Sequence, residues 1–173
     1  MKTLLSRAAL ALTVIAAGAL TPAHAALVFT NYTTSAGLGS NDVRSVYVTS
    51  GTIYAGTAGG FSTSTNTGTS WTNKTTANGL PTNTIQSVYA DSGSIYAGTF
   101  SGGLAISTDG GNGWVTRGFP SGLNSLFLTG VFASGSAVYV TTANGGFSIS
   151  TNSGTSFALR TDANSGLPTN TLQ

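Results

Sequence analysis

The sequence predicts an all-β fold, and three observations lead to that prediction. A segment of about 43 residues recurs three times in the 173-residue chain. Each copy contains four short runs rich in Val, Ile, Tyr and Phe, separated by turn residues. No window shows the apolar spacing of a helix. Small four-stranded sheets that repeat at this period and shield one another's faces are typical of a β-propeller.

The repeat is defined by positions that recur at a constant spacing. Within two such sets, successive members stand 43 residues apart. The sets are Gly60, Gly103 and Gly146, and Trp71, Trp114 and Phe157. We therefore place repeats at approximately 37–78, 79–121 and 122–165, with the start of a further repeat at 166–173. Together they predict a partial propeller over residues 26–173.

The four strands of the first copy are predicted at 45–48, 52–57, 60–63 and 70–74. Val46 and Tyr47 are adjacent in the first strand and point to opposite faces, so each sheet needs cover on both sides. Other apolar positions also recur in every copy, namely Tyr54, Tyr96 and Tyr139, and Phe61, Leu104 and Phe147. We assign them to packing between blades rather than to a stacking platform for sugars or bases.

Residues 1–25 have the features of a bacterial signal peptide. Lys2 and Arg7 are followed by an apolar stretch at 8–20 and by the small-residue site Ala23-His24-Ala25. The stretch is shorter than the roughly 20 residues that a membrane-spanning helix needs. We expect cleavage after Ala25, export to the periplasm or the cell exterior, and no membrane span.

Composition excludes several classes of function for residues 26–173. They contain four basic and four acidic residues, so no basic patch for nucleic acid is expected. The chain has no Cys or Glu, and its single His, His24, leaves with the signal peptide. Without these side chains, the usual nucleophile–His systems and zinc sites cannot be assembled. We therefore predict no catalytic residue, no cofactor and no metal.

Each repeat carries a turn motif with the pattern Ser-x-Asp/Asn-x-Gly-x-x-aromatic. The motif residues are Ser64, Asn66, Gly68 and Trp71; Ser107, Asp109, Gly111 and Trp114; and Ser150, Asn152, Gly154 and Phe157. The pattern resembles the Asp-box (BNR) repeat, in which it forms the hairpin between the third and fourth strands of a propeller blade. A short Asx side chain accepts backbone N–H groups around a turn, and Gly tolerates positive φ there. We predict a structural role for all twelve residues.

A second resemblance covers the strands that precede this motif. The stretch 79–89, GLPTNTIQSVY, followed by IYAGT at 95–99, is similar to the propeller repeats of bacterial two-component regulators. Both resemblances imply a propeller fold. Neither determines a function, because propellers host hydrolases, binding modules and scaffolds alike.

The charged residues offer only a weak candidate site. Lys74, Arg117 and Arg160 share one repeat position near the outer fourth strand, where charge discourages edge-to-edge aggregation. An arc of ligand-contacting cations is the less favoured interpretation. The four acids are predicted in turns, connections or a local ion pair with Arg44, and they are Asp42, Asp91, Asp109 and Asp162.

The chain is predicted to hold an incomplete ring. Residues 29–34 align with 71–76, a fourth strand, and residues 26–173 amount to about 3.4 blades, whereas closed rings have 4 to 8. We expect three blades plus one N-terminal strand, either as a fragment of a longer protein or as a chain that closes by assembly. A β-trefoil is the alternative fold, since it also accounts for three repeats.

Two functions fit this chain. The first is an exported, non-enzymatic propeller module that binds a protein or glycan or acts as a scaffold. The second is the N-terminal fragment of a sialidase-like, Asp-box glycoside hydrolase whose catalytic residues lie outside this chain. The sequence does not determine the ligand or the oligomeric state.

Overall fold

The computed structural model describes residues 30–161 and residue 166, and this part forms three four-stranded antiparallel sheets. Blade 1 consists of β1 (Val43–Thr49), β2 (Thr52–Thr57), β3 (Gly60–Ser64) and β4 (Thr72–Lys74). Blade 2 consists of β5 (Ile85–Asp91), β6 (Ser94–Thr99), β7 (Leu104–Ser107) and β8 (Val115–Arg117). Blade 3 consists of β9 (Leu128–Ser134), β10 (Ala137–Thr142), β11 (Gly146–Ser150) and β12 (Ala158–Arg160). Within each blade, strands that follow one another in the chain are neighbours in the sheet.

The first two strands of blades 1 and 2 are joined by two-residue turns. Ser50 and Gly51 have φ values of 49° and 77°, and Ser92 and Gly93 have 50° and 83°. Two successive residues with positive φ match the right-handed twist of hairpin strands. The resulting register places Tyr47 opposite Tyr54 in blade 1.

The predicted strands of blade 1 agree with the observed ones, apart from their ends. The first strand runs further in both directions, over Val43–Thr49. The fourth begins at Thr72 rather than at residue 70. Ser70 belongs to the turn because its backbone N–H donates to the side-chain Oδ1 of Asn66 at 3.0 Å.

A single 3-10 turn precedes each blade, at Thr34–Ala36, Thr76–Asn78 and Phe119–Ser121. The hydroxyls of Thr33 and Thr75 accept backbone N–H groups at the start of the first two turns. The sequence pattern does not predict these turns, because three residues do not complete one helical period of apolar positions.

The three blades pack face to face through layers of buried side chains. The layer between blades 1 and 2 includes Phe61, Ile85, Val88 and Ile95. The layer between blades 2 and 3 includes Tyr96, Leu104, Leu128 and Val140. The innermost strands β1, β5 and β9 lie side by side. Each repeat therefore forms its own sheet, so the predicted propeller is confirmed and the trefoil alternative is wrong.

Each blade has two apolar faces, and we name them by direction. The leading face turns toward the preceding blade and carries Ile85, Val88 and Ala90 in blade 2. The trailing face turns toward the following blade and carries Tyr96 and Leu104 in blade 2. In both contacts between blades, a trailing face meets the leading face of the next blade.

Candidate binding groove

The turn motif forms the hairpin between the third and fourth strands of each blade. In blade 2 the Ser107 hydroxyl accepts the N–H of Gly111 at 2.8 Å and donates to Oδ1 of Asp109 at 2.8 Å. Asp109 Oδ1 also accepts the N–H of Gly113 at 2.8 Å. The same bonds recur at 2.8–3.0 Å in blades 1 and 3, through Ser64, Asn66 and Gly68, and Ser150, Asn152 and Gly154. The polar atoms of the motif are thus used within the turn.

The aromatic residue of each motif packs beneath its turn. Phe157 is buried in the layer between blades 2 and 3. Trp114 is half-buried and meets Phe61 of blade 1 edge-on, with ring centroids 5.0 Å apart. Trp71 is also half-buried. These rings therefore cover the outer part of a blade rather than forming an exposed platform.

Asp109 is the one carboxylate among the three motifs. The backbone N–H of Gly113, then the hydroxyl of Ser107 and the N–H of Asn112, lower the pKa of Asp109 below its ordinary value of 3.8. The carboxylate is consequently ionised at neutral pH and serves the turn as an acceptor.

The structure does not bring the three repeat-related basic residues together. Lys74 Nζ donates to Oδ1 of Asn112 at 3.3 Å, and Arg117 Nε donates to the carbonyl of Gly154 at 2.8 Å. Both bonds tie an outer strand to the turn motif of the next blade. Arg117 also lines a cavity of about 400 Å³ beside Trp114. Arg160, in blade 3, donates to the carbonyl of Leu159 at 3.5 Å and bonds to no turn motif among the described residues.

The acidic residues Asp42 and Asp162 lie far apart along the chain. Asp42 forms an ion pair with Arg44 at 3.1 Å, and Arg44 also donates to the side chain of Gln86 at 2.7 Å. This pair therefore stays at the start of β1 and is linked to blade 2. Asp162 lies outside the described residues, as do the predicted signal peptide and residues 167–173.

A groove of about 420 Å³ lies between the first hairpins of blades 1 and 2. We call it the hairpin groove, and its walls include Tyr47, Thr49, Tyr54, Asp91, Ser92 and Ser94. The β1–β2 and β5–β6 hairpins supply these residues, because the strands end at the same edge of neighbouring blades.

Among the described residues, the two pairs of neighbouring first hairpins differ in one bond between blades. Between blades 2 and 3, Asp91 Oδ2 accepts the backbone N–H of Gly135 at 3.3 Å. Thr49 holds the position of Asp91 in blade 1, and its side chain offers no carboxylate to Ser92, the residue of blade 2 that corresponds to Gly135. The two hairpins are therefore tied together in one case and not in the other.

Aromatic rings continue from the groove along the innermost strands. The ring centroids of Tyr47 and Tyr89 are 4.6 Å apart, and those of Tyr89 and Phe132 are 4.8 Å apart. Burial, then the neighbouring Tyr47 and the charge of Asp91, raise the pKa of Tyr89 above its ordinary value of 10.0. The phenol is therefore neutral at neutral pH.

The groove wall combines aromatic surface with hydroxyl groups and one carboxylate. None of the described residues that line it is a lysine or arginine. Such a wall suits a neutral polar ligand that stacks on tyrosine and exchanges hydrogen bonds with Ser and Thr. It offers no counter-charge to an anion.

Sequence reasoning did not identify this groove. The sequence pattern predicts Tyr54 in packing between blades and Asp91 in a turn, and each prediction describes part of what the residue does. The available signal was the difference between Thr49 and Asp91 at one repeat position. That difference acquires a meaning only when the bond from Asp91 to Gly135 is seen.

The described residues contain neither a cluster suited to a metal ion nor a helix that could span a membrane. No three His, Cys, Asp or Glu side chains among residues 30–161 lie close enough to hold a metal ion. Within that same part of the chain, no helix has the length and apolar character needed to cross a membrane.

The fold and the turn motifs define a β-propeller domain built from Asp-box-like repeats. The chain belongs to the DUF6242 beta propeller domain family, whose model matches residues 46–173. The predicted relationship to this type of propeller repeat is confirmed. No curated protein matches the sequence.

Several solved structures have a similar arrangement. The extracellular domain of BT3049 from B. thetaiotaomicron, named as a hybrid two-component system, is 18% identical with a TM-score of 0.64, over 76% of this chain and 20% of that one. YCF48 bound to a D1 peptide is 16% identical with a TM-score of 0.57, over 68% and 40%. An ancestral GH74 enzyme is 24% identical with a TM-score of 0.54, over 70% and 19%. The chain thus spans less than half of each of these structures, and they share its fold.

Proposed function

We propose that this chain is an exported, non-enzymatic binding module that holds a glycan or an extended protein segment in the hairpin groove. The observation that carries the proposal is the open groove between blades 1 and 2, next to a pair of blades where the same hairpins are bonded together. If no ligand bound between blades 1 and 2, their first hairpins could be bonded together in the same way as those of blades 2 and 3.

The engagement of the carboxylates supports a non-enzymatic role. Asp42 is paired with Arg44, and Asp109 is used in its turn. Asp91 accepts from the Ser92 hydroxyl at 3.0 Å and from Gly135. Glycoside hydrolysis generally needs two carboxyl groups that face one scissile bond. These three carboxylates lie on separate elements and are each occupied by another group.

Export is supported by the predicted signal peptide at 1–25. Similarity to the extracellular domain of BT3049 is compatible with a periplasmic or extracellular location. The alternative, a hydrolase whose catalytic residues lie outside this chain, has no specific observation in its favour. The likeness to a GH74 enzyme concerns the fold.

The basic residues have a different role in this proposal. We infer that Lys74 and Arg117 hold neighbouring blades together, since each bonds to the turn motif of the next blade. They are therefore not ligand contacts in the hairpin groove, which they do not line.

The proposal is tested by closing the groove without removing any of its packing. Residues 26–173 would be titrated calorimetrically with a panel of neutral oligosaccharides and flexible peptides. Thr49→Asp supplies the carboxylate that Asp91 uses at the next blade, so it should accept the backbone N–H of Ser92, close the groove and weaken binding about tenfold or more. Ser134→Asp, at the same repeat position in blade 3, adds the same charge away from the groove and should leave binding unchanged.

Two outcomes would contradict the proposal. One is the absence of binding to every member of the panel. The other is a ligand whose affinity is the same for the parent chain and for Thr49→Asp, because that ligand would bind elsewhere.

A further inference from the structure

We propose that Phe100 and Phe127 form a second binding site, which anchors one apolar side chain of an extended segment from a partner protein. Phe100 lies in the turn between β6 and β7, and Phe127 directly precedes β9 of the next blade. Their ring centroids are 4.6 Å apart, and Phe100 is 46% exposed. This phenylalanine pair therefore bridges blades 2 and 3 and is accessible to solvent.

The phenylalanine pair lies at the opposite edge of the blades from the hairpin groove. Ser94, the first residue of β6, lines the groove, whereas Phe100 follows Thr99, the last residue of that strand. At a rise of about 3.4 Å per residue, β6 places the two sites roughly 17 Å apart. The second site is consequently separate from the proposed function and does not depend on it.

The turn between the second and third strands does not require a phenylalanine at position 100. Ala143 holds this position in blade 3, in a turn with the same number of residues. The N–H of Phe100 donates to the carbonyl of Thr84 at 3.0 Å, and that of Ala143 donates to the carbonyl of Phe127 at 3.0 Å. Because alanine supports the same bond, the ring of Phe100 is not needed to form the turn.

Position 127 does not require an aromatic ring either, since the two preceding repeats have Asp42 and Thr84 there. The N–H of Phe127 donates to the hydroxyl of Ser125 at 3.1 Å. The N–H of Thr84 donates in the same way to the hydroxyl of Thr82 at 3.4 Å. The local bond thus depends on the hydroxyl two residues earlier and not on the side chain at this position.

The phenylalanine pair departs from the repeat pattern at two positions that meet in space. Positions that serve packing carry similar residues in every copy, as Tyr54, Tyr96 and Tyr139 do. The boundary between blades 1 and 2 has Ala58 and Thr84 where the next boundary has the two phenylalanines. An exposed aromatic ring that the repeat does not need is typical of a surface that contacts a partner.

The size of the phenylalanine pair favours a single side chain over a large docking partner. An aromatic side chain presents about 150–250 Å² in total, so the exposed 46% of Phe100 is on the order of 100 Å². A stable interface between two folded proteins, or between two copies of this chain, buries about 800 Å² on each partner. The pair can therefore anchor a segment, but it cannot by itself hold a second folded chain.

The geometry of the rings favours an apolar side chain over a sugar. Their planes are tilted by 52°, so they do not form one flat platform on which a sugar ring can stack. A leucine or an aromatic side chain can contact both tilted rings. The backbone bonds of Phe100 and Phe127 hold the pair in place before a ligand arrives, which lowers the entropic cost of binding.

The surroundings of the rings favour a neutral segment. The residues that flank the two phenylalanines in the chain are uncharged, and they are Thr99, Ser101, Leu126 and Leu128. They offer no counter-charge to an acidic ligand or to a lipid head group. The hydroxyl of the exposed Ser101 can bond to the backbone of a peptide beside its anchored side chain.

The test uses short random peptides displayed on phage and selected on residues 26–173. Selected peptides are synthesised and titrated by fluorescence anisotropy against the parent chain and Phe100→Ala/Phe127→Thr. This double variant carries the residue types of Ala143 and Thr84, so it should unfold at the same urea concentration as the parent. We expect peptides that share a leucine or aromatic residue and bind the double variant at least about tenfold more weakly.

Two further changes test the anchor itself. Phe100→Ala alone removes the more exposed ring and should weaken the same peptides in the same direction. Replacing the shared apolar residue of the peptide with serine should weaken its binding to the parent chain at least about tenfold.

Matched control variants separate this site from other surfaces. Val115 is 53% exposed on β8, and Thr72 holds its position in blade 1. Val115→Thr therefore removes exposed apolar surface elsewhere and should leave the affinity unchanged. Thr49→Asp should also leave it unchanged, whereas a peptide bound in the hairpin groove would respond to Thr49→Asp and not to the double variant.

Three results would overturn the proposal. The first is a selection in which no peptide is weakened by Phe100→Ala/Phe127→Thr. The second is equal weakening by Val115→Thr, since the peptides would then bind apolar surface without preference. The third is binding of oligosaccharides or phosphatidylcholine vesicles, or self-association of the chain, that is lost in the double variant, since the occupant would then belong to another class.

Discussion

The third residue of the turn motif, Asp or Asn, differs between the blades, and its partner differs with it. The amide groups of Asn66 and Asn152 donate to the hydroxyls of Ser70 and Ser156, at 2.8 and 2.9 Å. Asp109 instead has Gly113 four residues on. A carboxylate has no N–H and needs no acceptor there, whereas an amide does. The choice of Asp or Asn is therefore coupled to the choice of Gly or Ser.

Replacing Asp109 with Asn should reduce the acid sensitivity of the protein. Because the folded-state pKa of Asp109 is lowered, its ionised form stabilises the fold above the ordinary value of 3.8. That contribution is lost as the pH falls through the lowered pKa. In thermal melts between about pH 5 and pH 2, the melting temperature should therefore fall less for Asp109→Asn than for the parent chain.

A second substitution controls for the amide itself. Asp109→Asn/Gly113→Ser supplies the acceptor that the other two blades provide and should recover stability at neutral pH relative to Asp109→Asn. Identical acid sensitivity in the parent chain and Asp109→Asn would show that the carboxylate is not stabilised by the turn.

At the scale of elements, one glycine controls how closely the third and fourth strands of a blade approach. Gly103 has φ of 82°, and a Cβ there would overlap the backbone carbonyl of Arg117. Gly93, in the hairpin turn, has nearly the same φ of 83°, but a Cβ there would meet no atom within 4 Å. Comparing Gly103 with Gly93 therefore separates the cost of positive φ from the cost of a close contact with the neighbouring backbone.

We expect Gly103→Ala to be more destabilising than Gly93→Ala. Positive φ costs both variants about 1–2 kcal/mol, because alanine tolerates it poorly. Gly103→Ala should cost about 1–3 kcal/mol more, since the strands β7 and β8 must separate to admit the methyl group. Urea denaturation of both variants measures the difference, and equal losses would refute the contribution of close approach.

Elements were predictable to different degrees. Strands could be placed because Val, Ile and Tyr recur in short runs between Gly-rich turns. The 3-10 turns could not, because the caps of Thr33 and Thr75 are local hydrogen bonds without an apolar period.

At the scale of the whole molecule, identical repeat positions have unequal roles. Arg117 bonds to the next blade at Gly154, whereas Arg160, within the part of the chain that the structure describes, bonds to its neighbour Leu159. The difference arises from position in the row of blades, because β12 of blade 3 is followed by no further described strand.

Removing these two arginines should therefore have unequal effects on stability. Arg117→Met keeps much of the side chain's apolar stem and removes the bond between blades, so it should cost about 1–2 kcal/mol of unfolding free energy. Arg160→Met should change it by less than about 0.5 kcal/mol. Chemical denaturation measures both values, and equal effects would show that the bond to Gly154 contributes little.

The sequence by itself determined the architecture of this protein. A 43-residue period, adjacent apolar residues such as Val46 and Tyr47, and the Ser–Asx–Gly turns each act within one repeat or between equal repeats. The strands and turns of one repeat therefore predict those of the other two. This is why the blades, the turn motif and the outer position of Lys74, Arg117 and Arg160 could be placed in advance.

Only the tertiary structure decided where the repeats cease to be equivalent. At the hairpin groove, Asp91 reaches Gly135 in the next blade, whereas Thr49 makes no matching bond among the described residues. Val46 on the leading face of blade 1 is exposed because none of the described blades packs against it, although Val88 at the same position is buried. Both features depend on contacts between blades that are distant in the chain, and a local sequence pattern does not specify such contacts.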